Sequence, residues 1–200
     1  MIENIISRVT GGDASWIDGT LRSTIYGADM YLLNFSGVMF GSNASLDLGG
    51  SFHVSTADYL RLGENERFYT MPHENETLSV AVPAAFGFLD SDVAPVTVEG
   101  RGELTTDIWD DDYGNWWNWL DYNEFDYAGL VVPKGETISV VGGDIDITGT
   151  YFQYEDEGDH MIRNQVVGAN LDAPEGQISL VSIRSEGEVG RNAFHKTRNK

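Results

Sequence analysis

The stretch Tyr31–Gly63, YLLNFSGVMFGSNASLDLGGSFHVSTADYLRLG, decides the fold class of this chain. It joins runs of about four to six residues, in which apolar and polar side chains alternate, through clusters of Gly, Asn and Ser. A period of two residues is typical of a β-strand with one buried face, and the small polar residues between the runs are typical of tight turns. The stretch therefore predicts an all-β protein of short strands.

Two segments, SLDLGGSFHVS and SVVGGDIDITG, share one pattern: an apolar strand, a glycine pair and then apolar residues two positions apart. We interpret the glycine pairs as equivalent turns in which glycine supplies a positive φ, and we expect the apolar residues that follow to face inward. The glycine pairs are Gly49-Gly50 and Gly142-Gly143, and the apolar residues are Phe52, Val54, Ile145 and Ile147.

Repeated corners between short strands are typical of a solenoid, in which each rung covers the apolar face of the next. An antiparallel sandwich has strands of the same length. However, Asn-Gly and Asp-Gly hairpin pairs are nearly absent between these strands, and only Asp18-Gly19 is in a plausible place. The pattern favours a solenoid, and the chain has the length of one domain.

The formal net charge of −20 disfavours nucleic acids and anionic membrane surfaces as partners, because both are negatively charged. The chain has no Cys, which excludes disulfides, thiolate metal sites and Cys nucleophiles. No apolar run reaches the roughly 20 residues of a membrane-spanning helix, and the first residues do not have the pattern of a secretory signal.

Residues 107–127, DIWDDDYGNWWNWLDYNEFDY, interrupt the strand pattern with seven acidic and eight aromatic residues. Trp116, Trp117 and Trp119 could stack on sugar rings of a glycan while the carboxylates bind hydroxyl groups. Alternatively, residues 110–112 with Asp121 could bind Ca²⁺, although the EF-hand spacing is absent. The interpretation we favour is a hairpin or loop outside the solenoid, whose rings cover apolar side chains.

Catalytic groupings are not recognisable in the sequence. The four His residues are far apart, and no Gly-x-Ser-x-Gly motif occurs, so we predict no catalytic residue, no metal site and no cofactor. A polysaccharide-degrading solenoid would need converging carboxylates and basic residues, but only Arg101 and Lys134 lie between Arg67 and Arg163.

Five ordered segments resemble the filamentous haemagglutinin N-terminal domain, which is the secretion domain of two-partner secretion exoproteins, and the similarity is greatest to cyanobacterial-type members. The segments are NIISRVTGGDASWIDGTL, LLNFSGVMFGSNASLDLGGSFHVSTADYLRLG, LSVAVPAAFGF, LVVPKGETISVVGGDIDITG and GQISLVSIRSEGEVG. The resemblance implies a right-handed, single-stranded parallel β-helix over residues 1–190. The last ten residues, 191–200, are basic and include little that could be buried, so we expect a frayed tail there.

The same resemblance implies that the POTRA domains of an outer-membrane transporter recognise the chain, which then starts the folding of a secreted or surface-bound adhesin. Host or cell-surface glycans are a further expected partner. The family usually has a signal peptide and several strands before NIISRVTGG, so we expect this chain to be a truncated form. The segment Tyr31–Leu62 is the best candidate for transporter binding.

Asn34-Phe35-Ser36-Gly37-Val38 stands where the family usually has Asn-Pro-Asn-Gly-Ile. Without the Pro we expect a looser turn, which Gly37 still permits. We interpret four residues of this region as candidate transporter contacts, although short polar residues also cap turns through their own backbone. These candidates are Asn34, Gly37, Asn43 and Asp47.

Overall fold

Strands make up nearly all of the regular structure in a computed structural model, which describes residues 2–74, 80–100, 103–104, 129–156, 161–168 and 171–193. Within these ranges there is no α-helix. The strands are Asn4–Arg8 (β1), Ser15–Ile17 (β2), Thr20–Arg22 (β3), Asp29–Leu33 (β4), Val38–Phe40 (β5), Ser45–Asp47 (β6), Phe52–Ser55 (β7), Tyr59–Leu62 (β8), Glu66–Tyr69 (β9), Pro83–Phe88 (β10), Val96–Val98 (β11), Glu103–Leu104 (β12), Leu130–Val131 (β13), Thr137–Gly142 (β14), Ile145–Ile147 (β15), Thr150–Asp156 (β16), Met161–Gly168 (β17), Leu171–Asp172 (β18), Gln177–Ser182 (β19) and Gly187–Gly190 (β20), followed by the 3-10 helix Arg191–Ala193 (η1).

Most of these strands pair in parallel. The central sheet has the order β1-β4-β7-β14-β19, and the second sheet has the order β2-β5-β11-β15. Two parallel pairs, β3-β6 and β13-β18, form a third side, where β13 also contacts β6. The chain passes from the central sheet to the second sheet and then to the third side before it returns, and we call each passage a circuit.

The register of the central sheet aligns inward apolar residues from successive circuits. Phe52 pairs with Met30 on one side and with Ile138 on the other, while Val54 lies between Leu32 and Val140. Phe52 and Val54 are fully buried in a core that also receives residues of the second sheet and the third side. The predicted inward orientation of these two residues is confirmed.

The other two residues predicted to face inward, Ile145 and Ile147, are in β15 of the second sheet. Both are partly buried and pack against the same core. Their inward orientation is also confirmed, with less burial because β15 is the edge strand of its sheet.

An antiparallel sheet, which the sequence pattern did not predict, covers the other face of the central sheet. This outer sheet has the order β20-β10-β8-β9. Its inward side chains form a second buried cluster with outward side chains of the central sheet. Members of this cluster from both sheets are Tyr31, Leu33, Leu60, Leu62, Phe86, Phe88, Val141 and Val189.

The hairpin of β8 and β9 was not predicted, because the strand pattern up to Leu62 indicates rungs of a solenoid only. The alternation continues through β8, but β8 leaves the parallel ladder and turns back at Gly63, which has a φ of 58°. A three-residue connection with glycine in the left-handed region is a common hairpin loop. Because this loop contains neither an Asn-Gly nor an Asp-Gly pair, the hairpin was missed.

The two glycine pairs are not equivalent, which corrects our interpretation. Gly49-Gly50 precedes β7 of the central sheet, whereas Gly142-Gly143 ends β14 of that sheet and precedes β15 of the second sheet. The strands that the pairs adjoin, β7 and β14, are direct neighbours in register. The pairs therefore lie at two different corners of the circuit.

The expected positive φ is also wrong, since none of the four glycines has one. Each is instead pressed against a neighbouring circuit. A Cβ on Gly50 would lie 2.5 Å from the Ala28 carbonyl oxygen, and a Cβ on Gly143 would lie 2.1 Å from the Val93 carbonyl oxygen. These corners require glycine because two backbones approach closely, which is a steric requirement and not one of backbone conformation.

Two further predictions concern regions that are described in part or not at all. The predicted accessory hairpin at 107–127 lies outside the described residues. Of the predicted tail at 191–200, residues 191–193 form η1, and residues 194–200 are outside the described part. A hairpin of β16 and β17, which joins β12 in a three-stranded sheet, was not expected.

Replacing Val54 by Ala tests the inner core. The change removes two carbon atoms from a fully buried position, so the free energy of unfolding should fall by about 2–3 kcal/mol. Val80→Ala removes the same atoms at a fully exposed position and should leave stability within about 0.5 kcal/mol. Urea denaturation measures both, and equal effects would contradict the assigned core.

Replacing Gly143 by Ala tests the close approach at the corner. The added methyl group must displace backbone, so we expect a loss of roughly 1–3 kcal/mol in the free energy of unfolding. Gly11→Ala is the matched control, because a Cβ on Gly11 would have no neighbouring atom within 4 Å and Gly11 has no positive φ. Thermal melts that show both variants equal to the parent chain would rule out the steric explanation.

Candidate functional site

Asn34, the first residue of the candidate turn, is completely buried after β4. Its side-chain nitrogen donates hydrogen bonds to the Asp13 carbonyl oxygen at 3.0 Å and to the Ser15 hydroxyl at 2.8 Å. Its side-chain oxygen accepts a hydrogen bond from the Ser36 backbone N–H at 3.0 Å. Asn34 therefore ties its own turn to the preceding circuit, and its side chain is not accessible to a partner in the folded chain.

Gly37 closes the same turn. Its φ is 114°, and its N–H donates to the Asn34 carbonyl oxygen at 3.1 Å. Since L residues with side chains rarely adopt this φ, glycine is required here for its conformational freedom. A Cβ would also lie 3.4 Å from both Ala14 Cβ and the Pro95 carbonyl oxygen, so neighbouring chain segments pack against both sides.

Asn43 lies exposed in the turn between β5 and β6. Its backbone N–H donates to Asp18 Oδ1 at 2.9 Å, and its side-chain nitrogen donates to Asp18 Oδ2 at 3.1 Å. The backbone and side-chain hydrogen bonds from Asn43 lower the pKa of Asp18. This link between two circuits is therefore fully present at pH values above the usual pKa range of carboxylates. It is lost when pH falls through the lowered pKa of Asp18.

Asp47 lies at the end of β6 on the exposed third side. Its Oδ2 is 3.0 Å from Arg22 Nε in the adjacent strand β3, and both side chains are mostly exposed. A solvent-exposed pair of this kind contributes little to stability. The fold therefore places no strong structural demand on the identity of Asp47.

The four candidate residues belong to one circuit but not to one surface. Asn34 and Gly37 are at the corner between the central and second sheets, while Asn43 and Asp47 are at the next corner and on the third side. The first pair shapes the backbone, and only the second pair presents accessible polar groups.

Sequence reasoning missed a polar and aromatic cluster on the outer face of the outer sheet. Tyr59 is 3% exposed, and the Arg67 guanidinium lies 4.3 Å from the centre of its ring. The Tyr59 hydroxyl donates to Glu188 Oε1 at 2.9 Å, and Arg61 Nε donates to Glu188 Oε2 at 2.9 Å. Glu188 is separated from Arg61 by 127 positions and from Tyr59 by 129 positions in the sequence. Such distant pairs give no local signal, so the sequence pattern alone could not find the cluster.

His53, in β7, is a structural residue. It is fully buried between the central and outer sheets, and its Nδ1 lies 2.6 Å from the Ser139 hydroxyl. Its ring stacks on Tyr31 with 4.5 Å between ring centres. Burial and the nearby Asp29 carboxylate raise the pKa of Tyr31, which keeps its hydroxyl neutral in this layer.

Several predicted site residues lie outside the described residues. These are Trp116, Trp117 and Trp119 of the glycan hypothesis and residues 110–112 and Asp121 of the Ca²⁺ hypothesis. In the part of the chain that the structure describes, no group of three or more His, Cys, Asp or Glu is placed to bind a metal ion. The described residues also include no helix with the length and apolarity for a membrane span.

Replacing Asn34 or Asn43 by Ala separates the structural residue from the accessible one. Asn34→Ala removes three hydrogen bonds at a buried position and should lower the free energy of unfolding by about 2–4 kcal/mol. Asn43→Ala breaks only exposed contacts and should cost less than about 1 kcal/mol. Chemical denaturation of both variants makes the comparison, and a stable Asn34→Ala protein would contradict the structural role.

Comparison with known proteins agrees with the resemblance that the ordered motifs indicate. The model of one protein family, the TPS secretion domain, matches residues 1–198. No curated protein and no solved structure matches the chain. Because the family model matches almost every residue, the chain belongs to the TPS secretion domain family, as its sequence motifs predicted.

Proposed function

We propose that this chain is the secretion domain of a filamentous haemagglutinin-like exoprotein, which the POTRA domains of an outer-membrane transporter recognise during export. The observation that carries the proposal is the family match over residues 1–198. A domain of this kind is exported as part of a secreted or surface-bound protein, and such a role requires no catalytic residue.

The finer architecture that fits this role is a right-handed, single-stranded parallel β-helix. Three sides visited in a constant order and parallel pairing between circuits support it. Connections between parallel strands of one sheet are right-handed in nearly all proteins, which favours that hand here. Two glycine-containing corners, where backbones of successive circuits nearly touch, also fit a tightly wound helix.

We also propose that the domain starts the folding of the chain that follows it. The last strand of the central sheet, β19, supports this part. Ile178 and Leu180 continue the inward columns of Ile138 and Val140, yet they remain 44% and 50% exposed. A further circuit stacked on β19 would cover both side chains and would bury apolar surface, which is the main favourable term in folding.

For recognition, we assign Asn43 and Asp47 to the accessible surface that a transporter can contact, and Asn34 and Gly37 to the turn that positions it. Both accessible residues are exposed, and neither is required for a buried contact.

A secretion assay tests the proposed function. The chain is placed behind a cleavable export signal in a Gram-negative host with a cognate transporter, or with the same transporter without its POTRA domains. We expect the chain in the medium only with the complete transporter. Equal amounts in the medium with both transporters would contradict the proposal, and a periplasmic reporter protein controls for leakage.

The double variant Asn43→Ala/Asp47→Ala tests the assigned surface. We expect a stability close to that of the parent chain, because both side chains are exposed. We expect secretion to fall roughly 10-fold, because a loss of about 1.4 kcal/mol in binding free energy lowers the affinity for the transporter 10-fold. Thr20→Ala/Ser45→Ala, on the same side of the fold, is the matched control. Unchanged secretion of the first variant would remove these two residues from the recognition surface.

A further inference from the structure

The peptide bond between Asp18 and Gly19 joins the one Asp-Gly pair of the chain, and no Asn-Gly pair occurs. In an Asp-Gly pair the glycine nitrogen can attack the carboxyl carbon of the aspartate side chain, because glycine has no Cβ to hinder the approach. The attack releases water and closes a succinimide ring. Water then opens the ring at either carbonyl group. Opening at the former backbone carbonyl gives isoaspartate, in which the main chain runs through the aspartate side chain.

This pair lies at the exposed corner between β2 and β3. A Cβ on Gly19 would have no neighbouring atom within 4 Å, and Gly19 has no positive φ. The fold therefore has neither a steric nor a conformational need for glycine at this position. Because both residues are exposed, the water that opens the ring has access to them.

The carboxylate of Asp18 is held by the next circuit. Its Oδ1 accepts a hydrogen bond from the Asn43 backbone N–H at 2.9 Å, and its Oδ2 accepts one from Asn43 Nδ2 at 3.1 Å. Since both oxygens are bound, the carboxyl group cannot turn freely to present its carbon to the Gly19 nitrogen. We call this pair of hydrogen bonds the clamp.

Gly41 leaves the space in which the clamp forms. It is buried, and its N–H donates to the Ile17 carbonyl oxygen at 2.8 Å, so its backbone is fixed against the residue before Asp18. A Cβ on Gly41 would lie 2.9 Å from the carboxyl carbon of Asp18 and would clash with its Oδ1. Gly41 has no positive φ, so glycine is needed here for the close approach of the carboxylate.

The charge of the clamped group adds to its protection. Hydrogen bonds from the backbone and side chain of Asn43 lower the pKa of Asp18, which keeps the carboxyl group ionised. An ionised carboxylate reacts slowly with a nitrogen nucleophile, because the departing oxygen must be protonated before it can leave as water. In the unfolded chain the carboxyl group has its ordinary pKa and turns freely.

We propose that the Asp18–Gly19 bond is a modification site, which rearranges to isoaspartate in the unfolded chain and is protected by Asn43 and Gly41 once the circuits have stacked. The rearrangement needs no cofactor and no oxidant, since the water lost in ring closure returns in ring opening. Its product has one additional carbon atom in the main chain and an α-carboxylate in place of the side-chain carboxylate. This inference does not depend on the proposed function, because it concerns the chain alone.

The product would disturb the pairing of β3 with β6. The Gly19 carbonyl oxygen accepts a hydrogen bond from the Ser45 N–H at 3.2 Å, and the Thr20 and Ser45 hydroxyl oxygens are 2.8 Å apart. An additional main-chain atom just before Gly19 displaces β3 along β6, and the clamp loses its carboxylate. A chain that remains unfolded for long therefore folds with an altered corner on the third side.

Incubation of the purified chain at neutral pH, either folded or unfolded in guanidinium chloride, tests the site. Methyl transfer by an isoaspartyl methyltransferase measures isoaspartate, and tandem mass spectrometry of peptides locates it. We expect isoaspartate at residue 18 to form at least roughly 10-fold faster in the unfolded chain, because folding adds two hydrogen bonds to a charged acceptor. If the unfolded chain forms none at residue 18, the site is wrong, and equal rates in both states would overturn the protection.

Two substitutions open the clamp of the folded chain in different ways. Asn43→Ala removes the side-chain donor, whereas Gly41→Ala displaces the carboxylate with a methyl group. We expect each to raise isoaspartate formation roughly 5-fold. Asn65→Ala, at an exposed Asn in the turn between β8 and β9, is the matched control and should react like the parent chain.

A further substitution, Gly19→Ala, tests the chemistry. Combined with Asn43→Ala, it should suppress isoaspartate at residue 18, because the added Cβ hinders the attacking nitrogen while the fold has room for it. Denaturation curves show whether each variant is folded during the incubation. If Asn43→Ala reacts like the parent chain, or if only variants without cooperative unfolding react faster, protection by the clamp is wrong. If the double variant still forms isoaspartate at residue 18, the assigned reaction is wrong.

Discussion

The register between successive circuits of the central sheet is the constraint on which the structure depends. A shift by one residue would move Phe52 and Val54 out of the inner core and would place His53 and Ser55 inside it. Because each buried aliphatic or aromatic side chain contributes roughly 1.5–3 kcal/mol, the loss of several such side chains at once would unfold the domain. The alternation of the sequence and the stacking of circuits therefore specify each other.

The second consequence of this register is that the central sheet is buried on both faces. Its outward residues, among them Tyr31, Leu33 and Val141, need the outer sheet as a cover. Polar residues of the same face can be buried when they form hydrogen bonds with each other, as Ser139 does with His53. Because its central sheet is covered on both faces, the protein has two cores, and the outer sheet contributes to its stability.

The sequence was sufficient for the strand class, the parallel ladder and the inward residues, because these depend on a period that can be read locally. It was insufficient for the glycine pairs, since the close approach at Gly50 and Gly143 is made to chain segments that lie elsewhere in the sequence. The same limit applies to the candidate site. The polar type of Asn34 was recognised, but only the fold shows that it is buried, and the link from Tyr59 to Glu188 spans 129 residues.

Sequence separation also orders the costs of assembling these parts. The chain returns to the central sheet after 22 residues between Met30 and Phe52, but after 86 residues between Phe52 and Ile138. Loop-closure entropy rises with this separation, and contacts across long loops form more slowly than local ones. The first circuits can therefore close from local contacts, whereas the outer sheet is complete only when β20 returns to β10. The last strand in the sequence therefore completes the outer sheet, and it adds one buried side chain, Val189, to the second cluster.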